Sequence, residues 1–252
     1  MRVCKPKVHI PSAYYDSLRL EPDHGFPLRL VVPGQIGGRS VKWINRIELS
    51  QTESQHHLHF HDNKVLPTSI GPEQARAEKS WWYDPRFVLF FHPLMVNADH
   101  IGLRYIINEL NVNSAIACPD HDEILDPAWD SSYTLKGYAY AGGGRRVTRV
   151  ELSFDDGVTW ILANISYPED AFRDIVHSDP IYGTLDFTDY DTCFCWCFWS
   201  FEASLDRLGS SAAVMVRCMD ESLCLQPRNM YWNATGMMNN WLGPLFSWLF
   251  DY

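Results

Sequence analysis

The feature that most constrains the fold is a series of short alternating segments, each followed by turn residues, between residues 133 and 220. Apolar and polar side chains alternate over Tyr133–Tyr140 and again over Val147–Phe154. The first segment is followed by three consecutive glycines at 142–144, and the second by Asp155-Asp156-Gly157. Because successive side chains of a strand point to opposite faces, this alternation predicts half-buried strands joined by tight turns.

Three further segments complete the predicted domain. We expect strands at Thr159–Ile165, Cys193–Phe201 and Ala212–Asp220. Short strands with turn residues at regular spacing, over about 135 residues, are typical of an antiparallel sandwich of immunoglobulin type. The Cys…Trp…Cys spacing of antibody domains is missing from the sequence, so we expect an immunoglobulin-like β-sandwich without that disulfide.

The net charge of −10 limits the kinds of partner that the chain can have. Nucleic-acid binding without sequence preference needs a basic face, and this charge argues against one. It leaves room for one local basic pocket, which Arg29, Arg39, Lys42 and Arg46 could form.

The sequence also argues against a membrane or secreted protein. The N-terminus has no apolar stretch typical of a signal peptide. The apolar run Phe87–Val96 contains a histidine and a proline and is too short to cross a bilayer. The seven cysteines are an odd number, so we expect reduced thiols in the cytoplasm.

Two clusters could be mistaken for metal sites. On a strand, His57, His59 and His61 would share one face and could bind Zn or Ni. We favour a solvated or partly stacked strand. Cys193, Cys195 and Cys197 would likewise share a strand face, but no second pair of ligands with zinc spacing follows. We expect those thiols to pack in the core.

Residues 153–160 fit the S-x-D-x-G-x-T-W pattern of sialidase Asp-boxes, which a propeller would repeat. The pattern occurs once here. We therefore expect a hairpin turn in which Ser153, Asp155 and Thr159 satisfy backbone groups. Gly157 supplies a positive φ, and Trp160 packs below the turn.

Residues 23–43 read DHGFPLRLVVPGQIGGRSVKW. Cationic side chains surround a Gly37-Gly38 pair, an arrangement that suits a ligand rich in phosphate or other acceptors. The alternative from residue types alone is a buried strand, Leu28–Val32, with solvated charges at its ends. A second apolar strand is expected at Lys42–Leu49.

This segment resembles the molybdopterin-binding segment of eukaryotic nitrate reductases and sulfite oxidases. Every fixed position of that family's pattern, D-H-G-x-P-x-R-x-x-x-P-G-x-x-G-x-R-x-V-K-W, is present. Later segments are similar to the family's C-terminal dimerisation domain, and the forms WCFW and GMMNN are nearer to nitrate reductases than to sulfite oxidases. The chain as a whole resembles part of a fungal assimilatory nitrate reductase. These later segments are 105–114, 133–140, 142–151, 195–200, 220–222 and 232–240.

The resemblance implies a mainly β protein: the immunoglobulin-like dimerisation domain, preceded by a remnant of the α+β molybdopterin-binding domain. We expect the remnant at 1–50 and the dimerisation domain at 105–245. The connecting segment 51–104 would contain a short helix at Pro72–Lys79 and an atypical insert at 87–104.

The resemblance also implies a molybdenum-molybdopterin cofactor and a homodimer formed through the β-sandwich. Thr235 and Met237 match positions in the substrate pocket, where a neutral threonine favours nitrate over sulfite. The alternative for this pair is a turn with core packing. Six residues match cofactor-binding positions: His24, Arg29, Arg39, Ser40, Val41 and Lys42.

The sequence departs from the family in two ways. Residues 87–104 match nothing in it, and we hypothesise a translated, unspliced intron; the alternative is a genuine surface insertion. The family's metal-binding cysteine, in a Cys-Ala-Gly-Asn-Arg-like motif, is absent, as are the haem and flavin domains. We therefore expect a fragment without activity of its own and with no metal ligand. The alternatives are a non-catalytic dimerisation or assembly module and a fragment of a sulfite oxidase-type enzyme.

Overall fold

The computed structural model describes residues 14–15, 18–52, 54, 56–60, 64–65, 68, 70–77, 106–121, 123, 125, 131–173, 176–179, 183–186, 188 and 191–246. The α-helices within them are α1 (His57–Phe60), α2 (Pro72–Ala77), α3 (Asp170–Arg173) and α4 (Leu205–Gly209). The strands are β1 (Tyr14–Tyr15), β2 (Leu18–Arg19), β3 (Asn113–Cys118), β4 (Ser132–Tyr140), β5 (Val147–Ser153), β6 (Ile161–Leu162), β7 (Asn164–Ser166), β8 (Val176–Asp179), β9 (Gly183–Asp186), β10 (Trp196–Ser204), β11 (Ala213–Asp220) and β12 (Pro244–Phe246).

Two four-stranded antiparallel sheets form the body of the molecule. The first sheet has the strand order β3-β4-β10-β7, and the second has β12-β11-β5-β6. Alternate residues of each sheet face the other sheet. Burial of their apolar side chains away from water is the main favourable contribution to folding. The buried residues between the sheets include Leu135, Ala139, Cys197, Trp199, Val150, Leu152, Val214 and Val216.

This arrangement confirms the predicted mainly β, immunoglobulin-like sandwich. Strands β4, β5 and β11 lie where the alternating pattern predicts them, within a residue or two of the expected bounds. The segment expected as one strand at Thr159–Ile165 forms the two short strands β6 and β7, which join different sheets. The segment predicted as a single strand therefore crosses from one sheet to the other.

The predicted cysteine-bearing strand begins later than expected. Strand β10 starts at Trp196, because Cys195 has a positive φ of 57° and turns the chain before it. The prediction that Cys193, Cys195 and Cys197 share one strand face is therefore wrong. The prediction of core packing is confirmed for Cys197, which lies between the sheets, and burial raises the pKa of its thiol to about 12.

The hairpin turn predicted at residues 153–160 is confirmed. The Asp155 carboxylate accepts hydrogen bonds from the Thr159 hydroxyl and from its amide, the latter at 2.8 Å. These bonds lower the pKa of Asp155 to about 2. The amide of Gly157, whose φ is +79°, donates to the Ser153 hydroxyl at 2.8 Å, and the Trp160 indole donates to the Gly157 carbonyl.

The N-terminal region differs from the sequence prediction. Residues 28–32 and 42–49 form no strand. The first segment pairs with 41–44 through only two backbone bonds, and beyond residue 44 the apolar side chains are exposed: Ile47 by 62% and Leu49 by 98%. Alternation alone is insufficient for a strand, because a strand also needs a neighbour for its backbone groups.

The histidine-rich segment forms the one-turn helix α1 instead of the expected strand. His57 and His59 are therefore not on a common strand face, and His61 lies outside the described residues. No group of three or more His, Cys, Asp or Glu in the described part of the chain is placed to hold a metal ion.

The connecting segment contains the expected short helix, α2, which runs from Pro72 to Ala77. Lys79 and the insert at 87–104 lie outside the described residues. Of the described helices, none is long and apolar enough to cross a membrane.

Candidate functional site

The candidate site is a compact loop formed by residues 20–44. Two short 3-10 helices, Pro22–His24 and Gly37–Arg39, frame it. Between them, the Leu30 amide donates to the Val41 carbonyl at 2.7 Å and the Ile44 amide to the Leu28 carbonyl at 3.0 Å. These bonds fold the loop back on itself and bring its two ends side by side.

Gly25 allows two cationic side chains to approach each other. Its φ of +110° favours glycine, and a Cβ there would lie 3.0 Å from the Cβ of Lys42 and 3.1 Å from the Cβ of Arg29. The bases of Arg29 and Lys42 therefore meet directly beside the exposed His24. Three of the predicted cofactor-binding residues come together in this way.

Lys42 and the next residue, Trp43, are attached to the first 3-10 helix. The Lys42 ammonium donates to the Asp23 carbonyl at 2.6 Å, and the Trp43 indole donates to the Pro22 carbonyl at 2.8 Å. The Lys42 ammonium also lies 5.3 Å from the centre of the Trp43 ring. These contacts fix the position of the Lys42 ammonium, which remains partly exposed to solvent.

Arg39 and Ser40 make structural contacts. The Arg39 guanidinium donates twice to the Ile107 carbonyl, at 3.3 and 3.2 Å, and is 2.8 Å from Nδ1 of His59. The Ser40 hydroxyl accepts the Val32 amide at 3.3 Å. These bonds hold Arg39 in place, and the exposed Val41 follows directly on this fixed turn.

Arg29 is different, because its Nε is buried and has no hydrogen-bond partner among the described residues. Leaving a buried donor unsatisfied costs about 1–3 kcal/mol, more when the group is charged. A ligand with an oxygen or nitrogen acceptor would remove that cost. The donor set around Gly25 therefore fits an anionic or acceptor-rich group such as the phosphate and pterin of molybdopterin.

A close junction attaches this loop to the sandwich. The Gly34 carbonyl accepts the amides of Leu110 at 3.0 Å and Gly143 at 3.1 Å, and the Ile36 amide donates to the Asn108 carbonyl. A Cβ at Gly34, whose φ is +77°, would lie 2.9 Å from the Cys195 sulfur. The loop, the segment before β3 and the β4–β5 turn therefore meet at one residue.

An ion-pair chain supports the junction. Arg145 donates to Glu109 and to Asp220, each at 3.0 Å, and the Asp220 carboxylate is 99% buried. Burial alone would raise the pKa of Asp220, but hydrogen bonds from Ser222, the Cys224 amide and Arg145 hold it below its ordinary value. Asp220 is therefore a charged anchor for Arg145.

Next to this junction lies a cavity of about 590 Å³. Met237, one of the two residues predicted for the substrate pocket, is part of its lining. Thr235 is absent from the described lining and accompanies Asn233, to whose side-chain oxygen it donates at 2.9 Å. The backbone turns here with Gly236 and Met238 at positive φ. The lining residues are Val65, Thr68, Ile106, Ile107, Asn108, Glu109, Asn111, Tyr231, Met237 and Met238.

Most of these lining residues were not predicted as site residues from the sequence. Ile106–Glu109 belong to the YIINEL motif that identified the dimerisation domain, but the motif gave them no role. The structure gives one: the Ile107 carbonyl binds Arg39, so a single residue links the cationic loop to the cavity wall.

Comparisons with known proteins match two regions of the chain to family models. Residues 104–243 match the family described as Mo-co oxidoreductase dimerisation domain. Residues 12–58 match the family described as oxidoreductase molybdopterin binding domain. The first match covers more than half of the chain.

Among curated proteins, the chain is similar to a nitrate reductase [NADPH] of Mycosarcoma maydis, with 52% identity over 231 residues. It is 49% identical over 222 residues to the enzyme of the same name from Aspergillus niger. Each alignment covers 88% of this chain, but the chain spans only 22% and 23% of the lengths of these relatives.

A solved structure, the sulfane dehydrogenase SoxCD from Paracoccus pantotrophus, shares the fold. Its TM-score is 0.58, and the match covers 94% of this chain and 48% of that chain. The sequence identity is 20%, so the likeness is one of fold.

Proposed function

Because the chain belongs to the Mo-co oxidoreductase dimerisation domain family, we propose that it is the molybdopterin-binding and dimerisation region of a fungal-type nitrate reductase. The observation that carries this proposal is the buried, unpartnered Nε of Arg29 within the segment that matches a molybdopterin-binding domain. A cationic donor is thus held in place for an acceptor.

In this proposal, His24, Arg29 and Lys42 contact the cofactor, and Arg39 with Ser40 holds the loop that carries Val41 and Lys42. Guanidinium and ammonium groups bind phosphate through charge-assisted hydrogen bonds, and guanidinium adds directionality. When bound, molybdenum-molybdopterin supplies the two-electron oxygen-atom transfer chemistry that reduces nitrate to nitrite. The residues of this chain bind and orient it.

The cavity beside the junction is the proposed substrate side of the site. Met237 contributes an uncharged wall, and the Glu109 charge is offset by its ion pair with Arg145. Thr235 is the neighbouring neutral residue and lies on the same turn. A dianion would need a further cation in the pocket, and a buried cation without a partner is costly. The uncharged lining therefore favours a monoanion such as nitrate.

We propose that the protein is a cytoplasmic homodimer that associates through the sandwich. None of the six cysteines that the structure describes forms a disulfide, as is usual in a reducing compartment. The description of the matched family supports self-association.

The cofactor proposal is tested with the purified full chain. The chain would be incubated with molybdenum-molybdopterin released from a carrier protein, desalted, and assayed for retained pterin by fluorescence after oxidation. We expect Arg29→Gln to lower retention by about tenfold, since a charge-assisted bond is lost. Arg46→Gln is the matched control, because Arg46 is exposed and pairs only with exposed Glu48.

Equal retention by the wild type and Arg29→Gln would contradict the role of Arg29, and no retention by the folded wild type would contradict cofactor binding. Turnover of nitrate with a reduced viologen is a separate measurement. We expect none from this chain by itself, because the family's metal-binding cysteine motif is missing from its 252 residues.

A further inference from the structure

The two sheets of the sandwich have very different outer faces. Outward-facing residues of β4 and β10 in the first sheet form an aromatic cluster. The Trp196 ring stacks on Tyr138 at 4.7 Å between ring centres and on Tyr140 at 5.5 Å, with nearly parallel planes. Phe198 lies opposite Tyr138 in the strand register and is 54% exposed.

The outer face of the second sheet is charged and partly covered. Glu151 of β5 is buried between the guanidinium groups of Arg149 and Arg217. The Arg217 guanidinium lies 3.9 Å from the centre of the Trp160 ring. This face already satisfies its own polar groups, whereas the aromatic face of the first sheet has no such cover among the described residues.

We infer that the aromatic face, formed by Tyr138, Tyr140, Trp196 and Phe198, is the surface through which two copies of this chain associate. This inference rests on the homodimer proposed above and assigns its surface. Exposed aromatic patches mark interaction sites, and aromatic side chains dominate the binding energy of interfaces.

The strand arrangement makes this face complementary to itself. A two-fold axis along the strands, between β4 and β10, lays β4 of one copy over β10 of the other. Tyr138 and Tyr140 then oppose Phe198 and Trp196 of the second copy.

Charges on the same face favour the same arrangement. Lys136 and Glu202 are exposed, outward-facing and close in the register, since Lys136 lies opposite Ser200. In the two-fold arrangement, Lys136 of each copy approaches Glu202 of the other. Opposite charges placed in this way select the register of association.

Sedimentation equilibrium of the full chain tests the inference. We expect a wild-type dimer, and an increase of at least about 30-fold in its dissociation constant for Trp196→Ser and for Phe198→Ser. Leu162→Ser and Val158→Ser are the matched controls, because both residues are exposed and Leu162 lies on the outer face of the other sheet. We expect wild-type association from both controls.

A charge exchange gives a second measurement that keeps the aromatic residues intact. Lys136→Glu should weaken the dimer, and adding Glu202→Lys should restore it. A monomeric wild type at all concentrations would overturn the proposed homodimer itself. A wild-type dimer that withstands both aromatic substitutions, or a charge exchange without restoration, would overturn only the assignment of this face.

Discussion

At the scale of single residues, two arginines of one loop differ in their hydrogen bonding. The guanidinium of Arg39 is bonded to the Ile107 carbonyl and to His59, whereas the buried Nε of Arg29 has no partner in the described chain. The sequence shows both as cationic residues ten positions apart. Only the fold, which brings Ile107 to Arg39, distinguishes the hydrogen-bonded arginine from the one for which we propose a ligand.

This difference predicts opposite effects on stability. Arg39→Gln should lower the free energy of unfolding by about 1–3 kcal/mol, because the Ile107 carbonyl loses its donors. Arg29→Gln should leave it unchanged or raise it slightly in the absence of a ligand, since an unsatisfied donor is removed. Urea unfolding measures both, and Arg46→Gln is again the control. Equal losses for Arg29 and Arg39 would contradict this assignment.

Asp220 predicts a pH dependence of stability. Its pKa is lowered in the folded protein, so the unfolded chain takes up a proton first as the pH falls. The stability that Asp220 contributes is therefore fully present above its ordinary pKa of 3.8 and is lost as the pH falls below that value.

The matching experiment is urea unfolding of the wild type and Asp220→Asn between pH 3 and pH 7. We expect the variant to be less stable by about 2–3 kcal/mol at pH 7, because Arg145 loses a buried partner, and the gap to close towards pH 3. Asp156→Asn is the control, since Asp156 is exposed and pairs with exposed Arg228. A gap that is independent of pH would contradict an ionised Asp220.

At the scale of elements, the sequence predicts the sandwich well and the N-terminal region poorly. Strands β4 and β5 alternate strongly and are followed by glycine-containing turns, so periodicity and turn chemistry agree. Residues 42–49 also have apolar side chains, but backbone pairing ends at residue 44. The pairing partner of a strand is a non-local property, and local periodicity contains no information about it.

Sequence reasoning about the site reached a similar limit. It assigned Arg29 and Lys42 to one cofactor-binding segment from the order of the motif, and the fold brings the two residues together beside Gly25. It gave no role to Glu109 or Arg145, because their ion pair spans 36 positions and depends on how the β4–β5 turn meets the segment before β3.

The junction at Gly34 gives a prediction at this scale. Gly34→Ala should destabilise the protein by about 1–3 kcal/mol, since alanine is strained at positive φ and its Cβ would crowd Cys195 and the Gly143 amide. Hydrogen exchange should show faster exchange of the Leu110 and Gly143 amides, which both donate to Gly34.

Gly37→Ala is the control, because a Cβ there meets no atom within 4 Å. The same exchange rates in Gly34→Ala and the wild type would show that the close approach at Gly34 does not hold the junction together.

At the scale of the whole molecule, one group of exposed apolar side chains lies in the loop and the segment after it. Four apolar side chains within nine residues are about half exposed or more: Val41, Trp43, Ile47 and Leu49. Exposed apolar patches of this kind bind hydrophobic dyes and promote association. The sandwich core, in contrast, is continuous and buried.

Replacing Ile47 by Lys and Leu49 by Glu should therefore reduce binding of the dye ANS strongly, with a change of only about 0.5 kcal/mol or less in the free energy of unfolding. Val158→Lys changes an exposed valine in the sandwich and should leave dye binding nearly unchanged. A double variant that unfolds at much lower urea would instead mean that these side chains are packed in solution.

The Gly34 carbonyl has a consequence for how the molecule melts. Its oxygen has two lone pairs, and each receives an amide from a different part of the sandwich, Leu110 before β3 and Gly143 after β4. The loop cannot detach without breaking both hydrogen bonds at the same time. Calorimetry should consequently record one endotherm, with equal calorimetric and van't Hoff enthalpies, in which loop and sandwich unfold as a single cooperative unit.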